Sequence, residues 1–128
     1  MKNTCLLIFA LALLILGCGK EDLSIDPKKD ILGKWEVVEP VSYPGSYEEY
    51  LRDSVLYIYN SENDFFYSTY WFNDSLLYKK DIYIDGITND TILIDIRKYK
   101  YDFIDYNTLR LDIQRPALIP RHIYKRIN

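Results

Sequence analysis

The sequence is poor in the residues that carry most enzyme and metal chemistry. It has two cysteines, Cys5 and Cys18, and a single histidine, His122. No His/Cys cluster has the spacing of a zinc site, and the acidic turns do not reproduce the spacing of an EF-hand. Nucleophilic catalysis needs a base beside a hydroxyl or thiol, and His122 stands beside Arg121 in the last apolar segment. We therefore expect no metal, no cofactor, no catalytic residue and no enzyme activity.

Positive charge is also scarce, since 16 Lys and Arg oppose 19 Asp and Glu and give a net charge of −3. A nucleic-acid-binding surface needs an excess of basic residues, so nucleic acid is excluded as a partner. Among the acidic residues, Glu48, Glu49 and Asp53 lie close together in the chain. A carboxylate hydrolase is therefore our third function hypothesis. A solvated acidic loop explains the same cluster.

The one long apolar run lies at the N-terminus, where Lys2 precedes a run from Cys5 to Leu16. The run is too short to span a bilayer comfortably and has the zones of an export signal. The junction Ile15-Leu16-Gly17-Cys18 resembles the bacterial lipobox, although a residue smaller than Leu16 is more usual there. This resemblance implies that residues 1–17 are a signal peptide and that Cys18 carries lipid. An ordinary secretory signal is the alternative.

The residues after Cys18 are charged and polar. Lys20, Glu21 and Asp22 resemble the export signal that sends many Bacteroidota lipoproteins to the cell surface. The resemblance implies a protein anchored to the outer membrane by its N-terminal lipid and facing the cell surface, with the periplasmic face as the alternative. Residues 18–30 have no hydrophobic period, so we expect the lipidated cysteine and a polar tether there, followed by a domain over residues 31–128.

The domain shows an apolar period of two, which predicts β-strands separated by turns rich in Asn, Asp, Ser and Gly. The clearest apolar stripes are Ile92/Ile94/Ile96, Tyr99/Tyr101/Phe103 and Leu109/Leu111/Ile113. Asp85-Gly86 is a strong turn signal because both residues tolerate positive φ. The pattern predicts an all-β, antiparallel up-and-down meander of about eight short strands. The segment 40–52 is the least regular part.

Two short segments carry a resemblance to a known family. Ile31-Leu32-Gly33-Lys34-Trp35 opens the domain and Tyr124-Lys125-Arg126-Ile127 closes it, and together they resemble the lipocalin-like domains of small Bacteroidota lipoproteins. The resemblance implies a small barrel, with a β-sandwich as the alternative. It also implies a structural end-plug of Gly33 and Trp35, with Arg126 packed across the indole and Arg121 as the alternative arginine.

A barrel of this size either fills with side chains or admits one small ligand. Bulky rings on the presumed inward stripes predict a filled interior, with any ligand site shallow or at the mouth. The rings expected inside are Trp35, Tyr57, Tyr59, Tyr99, Tyr101 and Phe103.

Two sets of residues are candidate surface sites. Tyr43, Tyr47 and Tyr50 lie in the irregular segment and form a candidate binding loop, because tyrosine combines apolar area with a polar handle. Ser54, Ser75 and Thr91 each follow Asp and precede an aliphatic residue, which resembles the acceptor site of Bacteroidota O-glycosylation. The same tripeptide arises where a turn enters a strand, so a structural origin is the alternative.

These observations lead to one main function hypothesis and one competing class. We expect a non-catalytic envelope lipoprotein that binds a small apolar ligand or a protein partner. The competing class is an inhibitor or structural envelope module that acts through its exposed loops. An open apolar pocket in the barrel favours the ligand, whereas a solid barrel favours the protein contact.

Overall fold

A computed structural model describes residues 24–41, 44–60 and 65–128. These residues form a closed antiparallel barrel in which the strands follow one another in chain order. The elements are α1 Pro27–Asp30, β1 Gly33–Glu39, β2 Tyr47–Tyr50, β3 Val55–Tyr59, β4 Phe65–Asn73, β5 Leu76–Ile84, β6 Thr91–Asp105, β7 Thr108–Ile113 and β8 Arg121–Ile127, with a short 3-10 turn at Arg52–Ser54. The predicted all-β barrel of eight strands is confirmed, and the β-sandwich alternative is wrong.

Several predictions fall outside the described residues. They concern the signal peptide 1–17, the lipidation site Cys18, the export signal Lys20, Glu21 and Asp22, and the first tyrosine of the candidate loop, Tyr43.

The two ends of the barrel differ because every strand runs antiparallel to the one before it. The connections that follow β1, β3, β5 and β7 lie at one end, which we call the mouth. The opposite end, which we call the closed end, holds α1, the 3-10 turn and two-residue turns such as Asp74-Ser75. Asp74 has φ 53° there, a value that Asp tolerates better than most residues.

Trp35 closes the barrel at this end. It is fully buried, and its indole Nε1 donates a hydrogen bond to the Ile31 carbonyl at 2.7 Å. The Arg126 guanidinium lies 4.3 Å from the centre of the indole ring, and its Nη1 donates to the Leu32 carbonyl at 2.7 Å. The arginine therefore ties the last strand to the segment before the first strand. This is the arrangement that the family resemblance implied for Gly33, Trp35 and Arg126.

Gly33 is required at the start of β1 for two reasons. Its φ is 113°, which side-chain-bearing residues rarely adopt. A Cβ atom at this position would also lie 3.1 Å from Nη1 of Arg126. Any larger residue would therefore strain the backbone and press on the arginine that covers Trp35.

The domain begins earlier than predicted. Residues up to Asp30 were expected to be tether, but Pro27–Asp30 form the helical turn α1, whose N-cap Asp26 accepts a hydrogen bond from the Lys28 amide at 3.2 Å. Ile31 is fully buried, and Ile25 packs against the core. Charged residues lie around these two isoleucines, so the sequence shows no apolar period there.

Two further expectations about strands are corrected. Tyr47–Tyr50 form strand β2 rather than part of an irregular loop, and Tyr50 is buried inside the barrel. The alternation in β2 was hidden because its second inward position is occupied by Glu48. The stripes Ile92/Ile94/Ile96 and Tyr99/Tyr101/Phe103 belong to one 15-residue strand, β6.

The aromatic stripe of β3 lies on the opposite face from the one expected. Leu56 is fully buried and Ile58 packs against the core, so Tyr57 and Tyr59 lie on the outer surface. There Tyr59 stacks on Tyr47 with 5.1 Å between ring centroids. The barrel therefore holds a different set of rings from the one predicted, with Tyr50, Tyr70 and Tyr124 buried inside instead of Tyr57 and Tyr59. The buried apolar residues are Ile31, Trp35, Tyr50, Leu56, Tyr70, Leu77, Tyr99, Phe103, Leu109, Leu111 and Tyr124.

We predict that Trp35→Ala will lower the free energy of unfolding by about 3–5 kcal/mol, through lost burial and the cavity left behind. Chemical denaturation followed by circular dichroism measures this change. The control is Tyr67→Ala, which removes a ring that is mostly exposed on the outer face and should cost less than about 1 kcal/mol. Equal losses in the two variants would show that Trp35 is not the plug.

Candidate functional site

A buried ion pair crosses the interior of the barrel. Lys79 on β5 and Glu48 on β2 come from strands that are not neighbours, and Lys79 Nζ lies 2.6 Å from Glu48 Oε2. The Lys79 side chain is only 3% exposed. Charges this deep need a partner, because an isolated buried charge is very costly. The pair therefore fixes the distance between opposite walls of the barrel.

Three tyrosines surround this pair. The Tyr50 hydroxyl donates to Glu48 Oε2 at 2.9 Å, and the Tyr124 hydroxyl donates to Oε1 at 3.3 Å. The rings of Tyr50, Tyr99 and Tyr124 have their centres 5.3, 5.1 and 5.4 Å from Lys79 Nζ. Ring faces attract a cation at these distances. The ammonium is thus balanced by one carboxylate and three aromatic faces.

The surroundings of Glu48 determine its charge. Burial acts to raise the pKa of its carboxyl group, but the charge and hydrogen bond of Lys79 and the Tyr50 hydroxyl outweigh burial, so the pKa falls below its ordinary 4.5. Because this pKa is lower in the folded chain, the carboxylate stabilises the fold above the unfolded-state value. That contribution is lost as the pH falls through the folded-state pKa. Glu48 is therefore ionised at neutral pH.

The hydrogen-bond donors around Glu48 keep their protons. Burial, followed by the charge of Glu48, raises the pKa of the Tyr50 and Tyr124 hydroxyls well above 10.0. Burial lowers the pKa of Lys79, and the neighbouring Glu48 carboxylate partly opposes that effect. We expect the lysine to be charged at neutral pH, because its short contact with the carboxylate is a charge-assisted hydrogen bond.

A second set of charges lies on the same interior face toward the mouth. Asp81 on β5 is buried, accepts a hydrogen bond from Ser68 Oγ at 3.0 Å and pairs with the guanidinium of Arg97 on β6. Next to it, Arg115 holds Asp95 with two bonds of 2.9 and 3.1 Å. Each of these carboxylates therefore has a cationic partner, as Glu48 does. This part of the interior carries little net charge.

Above these charges the barrel opens into a cavity of about 560 Å³, which we call the cup. Its floor includes Glu48, Arg97 and Tyr99. Its wall includes apolar residues from β1, the β1–β2 connection and β3, namely Val37, Pro40, Val41, Pro44 and Ile58. The barrel interior is thus filled by buried apolar side chains toward the closed end and is open at the mouth. The cup agrees with the expectation that a ligand site would lie at the mouth, but its floor is charged.

Three side chains in the lining of the cup have unused hydrogen-bonding atoms. Ser46 Oγ, Arg97 Nε and His122 Nδ1 are buried and have no hydrogen-bond partner among the described residues, although Arg97 Nε lies 3.8 Å from Asp95 Oδ2. Burial, followed by the positive charge of Lys79, lowers the pKa of His122 below 6.5, so the imidazole is neutral at neutral pH. A neutral imidazole offers one donor and one acceptor. Unpaired buried polar groups cost free energy, which a ligand that reached them would recover.

The residues singled out from the sequence are not all brought together. Glu48 points into the barrel, its neighbour Glu49 occupies the opposite face of β2, and Asp53 lies in the 3-10 turn at the closed end. The acidic cluster is therefore split. Tyr50 lies beneath Glu48, whereas Tyr47 lies on the other face of β2, where it stacks on Tyr59 and contributes to the lining of the cup. The tripeptide residues Ser54, Ser75 and Thr91 are exposed, and their glycosylation stays a prediction.

Sequence reasoning missed the residues that form the centre of the site. Lys79 and Asp81 follow Leu77 at spacings of two, so all three share one face of β5. The opposite face carries Tyr78 and Ile82, so both faces of this strand contain apolar residues. The available signal was that two charged residues of opposite sign continue an apolar stripe. Such a stripe indicates paired charges inside a barrel.

Over residues 24–41, 44–60 and 65–128 no group of three or more His, Cys, Asp or Glu side chains could hold a metal ion. The same part of the chain contains no helix that is long and apolar enough to cross a membrane. Comparison with known proteins gives no relative: no family model, no curated protein and no solved structure matches this chain.

Proposed function

We propose that this protein is a non-catalytic, lipid-anchored envelope lipoprotein whose barrel binds a small amphiphilic molecule in the cup. The ligand has an apolar body and an uncharged, hydrogen-bonding end group. The observation that carries the proposal is the open cavity of about 560 Å³ whose floor is a set of paired charges. Cavities of roughly 300–1,000 Å³ that combine apolar walls with a few polar groups are the usual form of small-molecule sites.

The wall of the cup supports an apolar ligand body. Val37 on β1 and Ile58 on β3 both line the cavity. Pro40, Val41 and Pro44 line it from the β1–β2 connection. An apolar group that covers these residues removes water from both surfaces, which is worth about 25 cal/mol per Å². Part of the wall belongs to rigid strands, so a ligand need not order the whole site when it binds.

The balance of charge in the floor supports an uncharged end group. Glu48 is matched by Lys79, and Asp81 is matched by Arg97. A charged ligand would add an unpaired charge to a partly dehydrated space, and that is costly. A neutral hydroxyl or carbonyl group adds no charge to this space. This refines the sequence-based hypothesis of a purely apolar ligand.

The unused hydrogen-bonding atoms support an oxygen atom in that end group. Arg97 Nε is a donor, and the neutral imidazole of His122 can donate or accept. A hydroxyl both donates and accepts, so it can satisfy either side chain after a small rotation. We therefore favour alcohols over purely hydrocarbon ligands.

A protein partner is the second candidate function, and one observation favours it. Val41 and Leu118, from two different connections at the mouth, are 92% and 99% exposed. Exposed apolar residues at one end of a molecule are typical of contact sites. In this case the partner would contact the loops of the mouth rather than enter the cup. The protein would then be the inhibitor or structural envelope module that is the competing hypothesis from the sequence.

The ligand proposal predicts an order of affinity among three probes that differ only in the head group. Decanol should bind more tightly than decanoate and decylamine, because only decanol enters the cup without an unpaired charge. Titration of the ¹⁵N-labelled protein with each probe measures this order, and the shifted amide signals should come from Val37, Ile58 and their neighbours.

Two matched valine variants provide the control. Val37 lines the cup, whereas its neighbour Val38 does not. Val37→Trp should fill the cavity and abolish decanol binding, whereas Val38→Trp should leave it within about a factor of three, the usual effect of a substitution of up to about 0.5 kcal/mol away from a site. Equal decanol binding by both variants, or shifts confined to the connection around Leu118, which does not line the cup, would contradict the ligand proposal and favour the protein partner.

Membrane attachment is proposed to depend on the lipid on Cys18, since two or three acyl chains give stable anchoring. We predict that Cys18→Ser will move the protein from the membrane to the soluble fraction of cells, as measured by immunoblotting after a salt wash. Cys5→Ser should leave it on the membrane, because that cysteine lies in the predicted signal peptide. Retention of the Cys18→Ser protein on washed membranes would disprove the anchor.

A further inference from the structure

The outer part of the β5–β6 hairpin is not paired with the strands on either side of it. β5 pairs with β4 only over Leu76–Lys80, and β6 pairs with β7 only over Tyr99–Asp105. The remaining parts of the two strands pair with each other, as in Ile82 with Ile94. Residues 81–84 and 91–98 therefore form a two-stranded ribbon at the mouth, which we call the ribbon.

One face of the ribbon is a stripe of isoleucine. The members are 44–65% exposed: Ile82, Ile84, Ile92, Ile94 and Ile96. They share the outer face because Asp81, Asp95 and Arg97 occupy the inner one. Contiguous apolar surface of this kind on a small domain usually marks a contact site.

The β6 edge of the ribbon also has unpaired backbone groups. The Gln114 amide donates to the Lys98 carbonyl at 2.8 Å, so the backbone polar groups of Lys98 point toward the β7 side. Because these directions alternate along a strand, those of Ile96 and Ile94 point the same way. No described strand pairs with them there. A free strand edge of this type is a template for another strand.

We propose that the ribbon is the interface for a second copy of this chain, in which the two β6 edges pair antiparallel about a two-fold axis at Ile94. In this register Ile94 faces its own symmetry mate, and Ile92 of each copy faces Ile96 of the other. The two hairpins form a four-stranded sheet, and the two isoleucine stripes become one continuous apolar face. The proposal does not depend on the ligand cup.

The charges of the ribbon favour this arrangement. Its tip carries Asp85 and Asp90, and its base carries Lys80 and Lys98. Antiparallel pairing about Ile94 brings the acidic tip of each ribbon beside the two lysines at the foot of the other ribbon. An edge that is complementary to itself in both hydrogen bonding and charge fits a two-fold symmetric contact.

The same edge argues against a lipid surface as the occupant. Hydrocarbon would cover the isoleucines but could not satisfy the free amide and carbonyl groups of Ile94 and Ile96, each of which costs several kcal/mol in lipid. A second strand satisfies both the side chains and the backbone. We therefore assign the ribbon to a copy of the chain.

Disulfide trapping tests the register directly. In a chain whose two native cysteines are replaced by serine, Ile94→Cys should form a disulfide-linked dimer under mild oxidation, because facing residues in antiparallel strands have Cα atoms about 5.5 Å apart. Ile82→Cys lies on the same outer face but one strand away from the axis. Its two copies would be about 14 Å apart, or three strand spacings, and should not link.

Sedimentation velocity of the otherwise unchanged protein gives a second readout. Ile94→Lys places two like charges opposite each other and should weaken the dimer by about tenfold or more. The matched control is Ile104→Lys, since Ile104 lies at the β-bulge near the closed end of β6, outside the ribbon, and is 49% exposed against 50% for Ile94. It should leave the dimer intact.

Three results would overturn the proposal. The first is a monomer at high concentration with no disulfide from Ile94→Cys. The second is equal trapping of Ile94→Cys and Ile82→Cys, which would indicate random collision. The third is binding of the wild-type ribbon to phosphatidylglycerol vesicles, lost in Ile94→Lys, with no dimer in solution.

Discussion

The ion pair between Lys79 and Glu48 is the contact on which the arrangement of this barrel depends. It joins strands β5 and β2 across the interior, and its charges are covered by the rings of Tyr50, Tyr99 and Tyr124. Breaking a buried pair by removing one partner typically costs about 3–5 kcal/mol, because the other charge is left alone. Such a cost is a large part of the stability of a small domain.

The pair also separates two regions with different chemistry. On the closed side, Trp35, Leu56 and Leu77 are fully buried and the interior is apolar. On the mouth side, the floor of the cup contains Arg97 and His122, and the walls leave space for a ligand. Stability therefore comes mainly from one end of the barrel, and binding is proposed at the other. Because the polar residues of the floor are on strands, their positions are set by the sheet rather than by loops.

The fold was largely predictable from the sequence because strand periodicity and turn residues are local signals. Gly33, Trp35 and Arg126 were also identified in advance, since a glycine before a buried tryptophan and a late arginine form a recognisable pattern. The face of β3 was assigned wrongly because both faces are apolar, with Leu56 and Ile58 on one and tyrosines on the other. Periodicity alone cannot choose between two apolar faces.

The centre of the site was not predictable in the same way. Glu48, Lys79 and Arg97 occupy inward positions that usually hold apolar residues, and each is favourable there only because another strand supplies its partner. The partners are distant in sequence, so no local pattern connects them. Strand β2 was missed for the same reason, since Glu48 breaks its alternation and only the closed barrel shows what it pairs with.

The most direct test of this account is the titration of the Glu48 carboxyl group in the wild-type protein. Its side-chain ¹³C signal can be followed by NMR as the pH is lowered. The ion pair and the Tyr50 hydrogen bond predict a midpoint below the ordinary value of 4.5. A midpoint at or above 4.5 would mean that burial outweighs Lys79, and would contradict the paired floor on which both the barrel and the proposed cup depend.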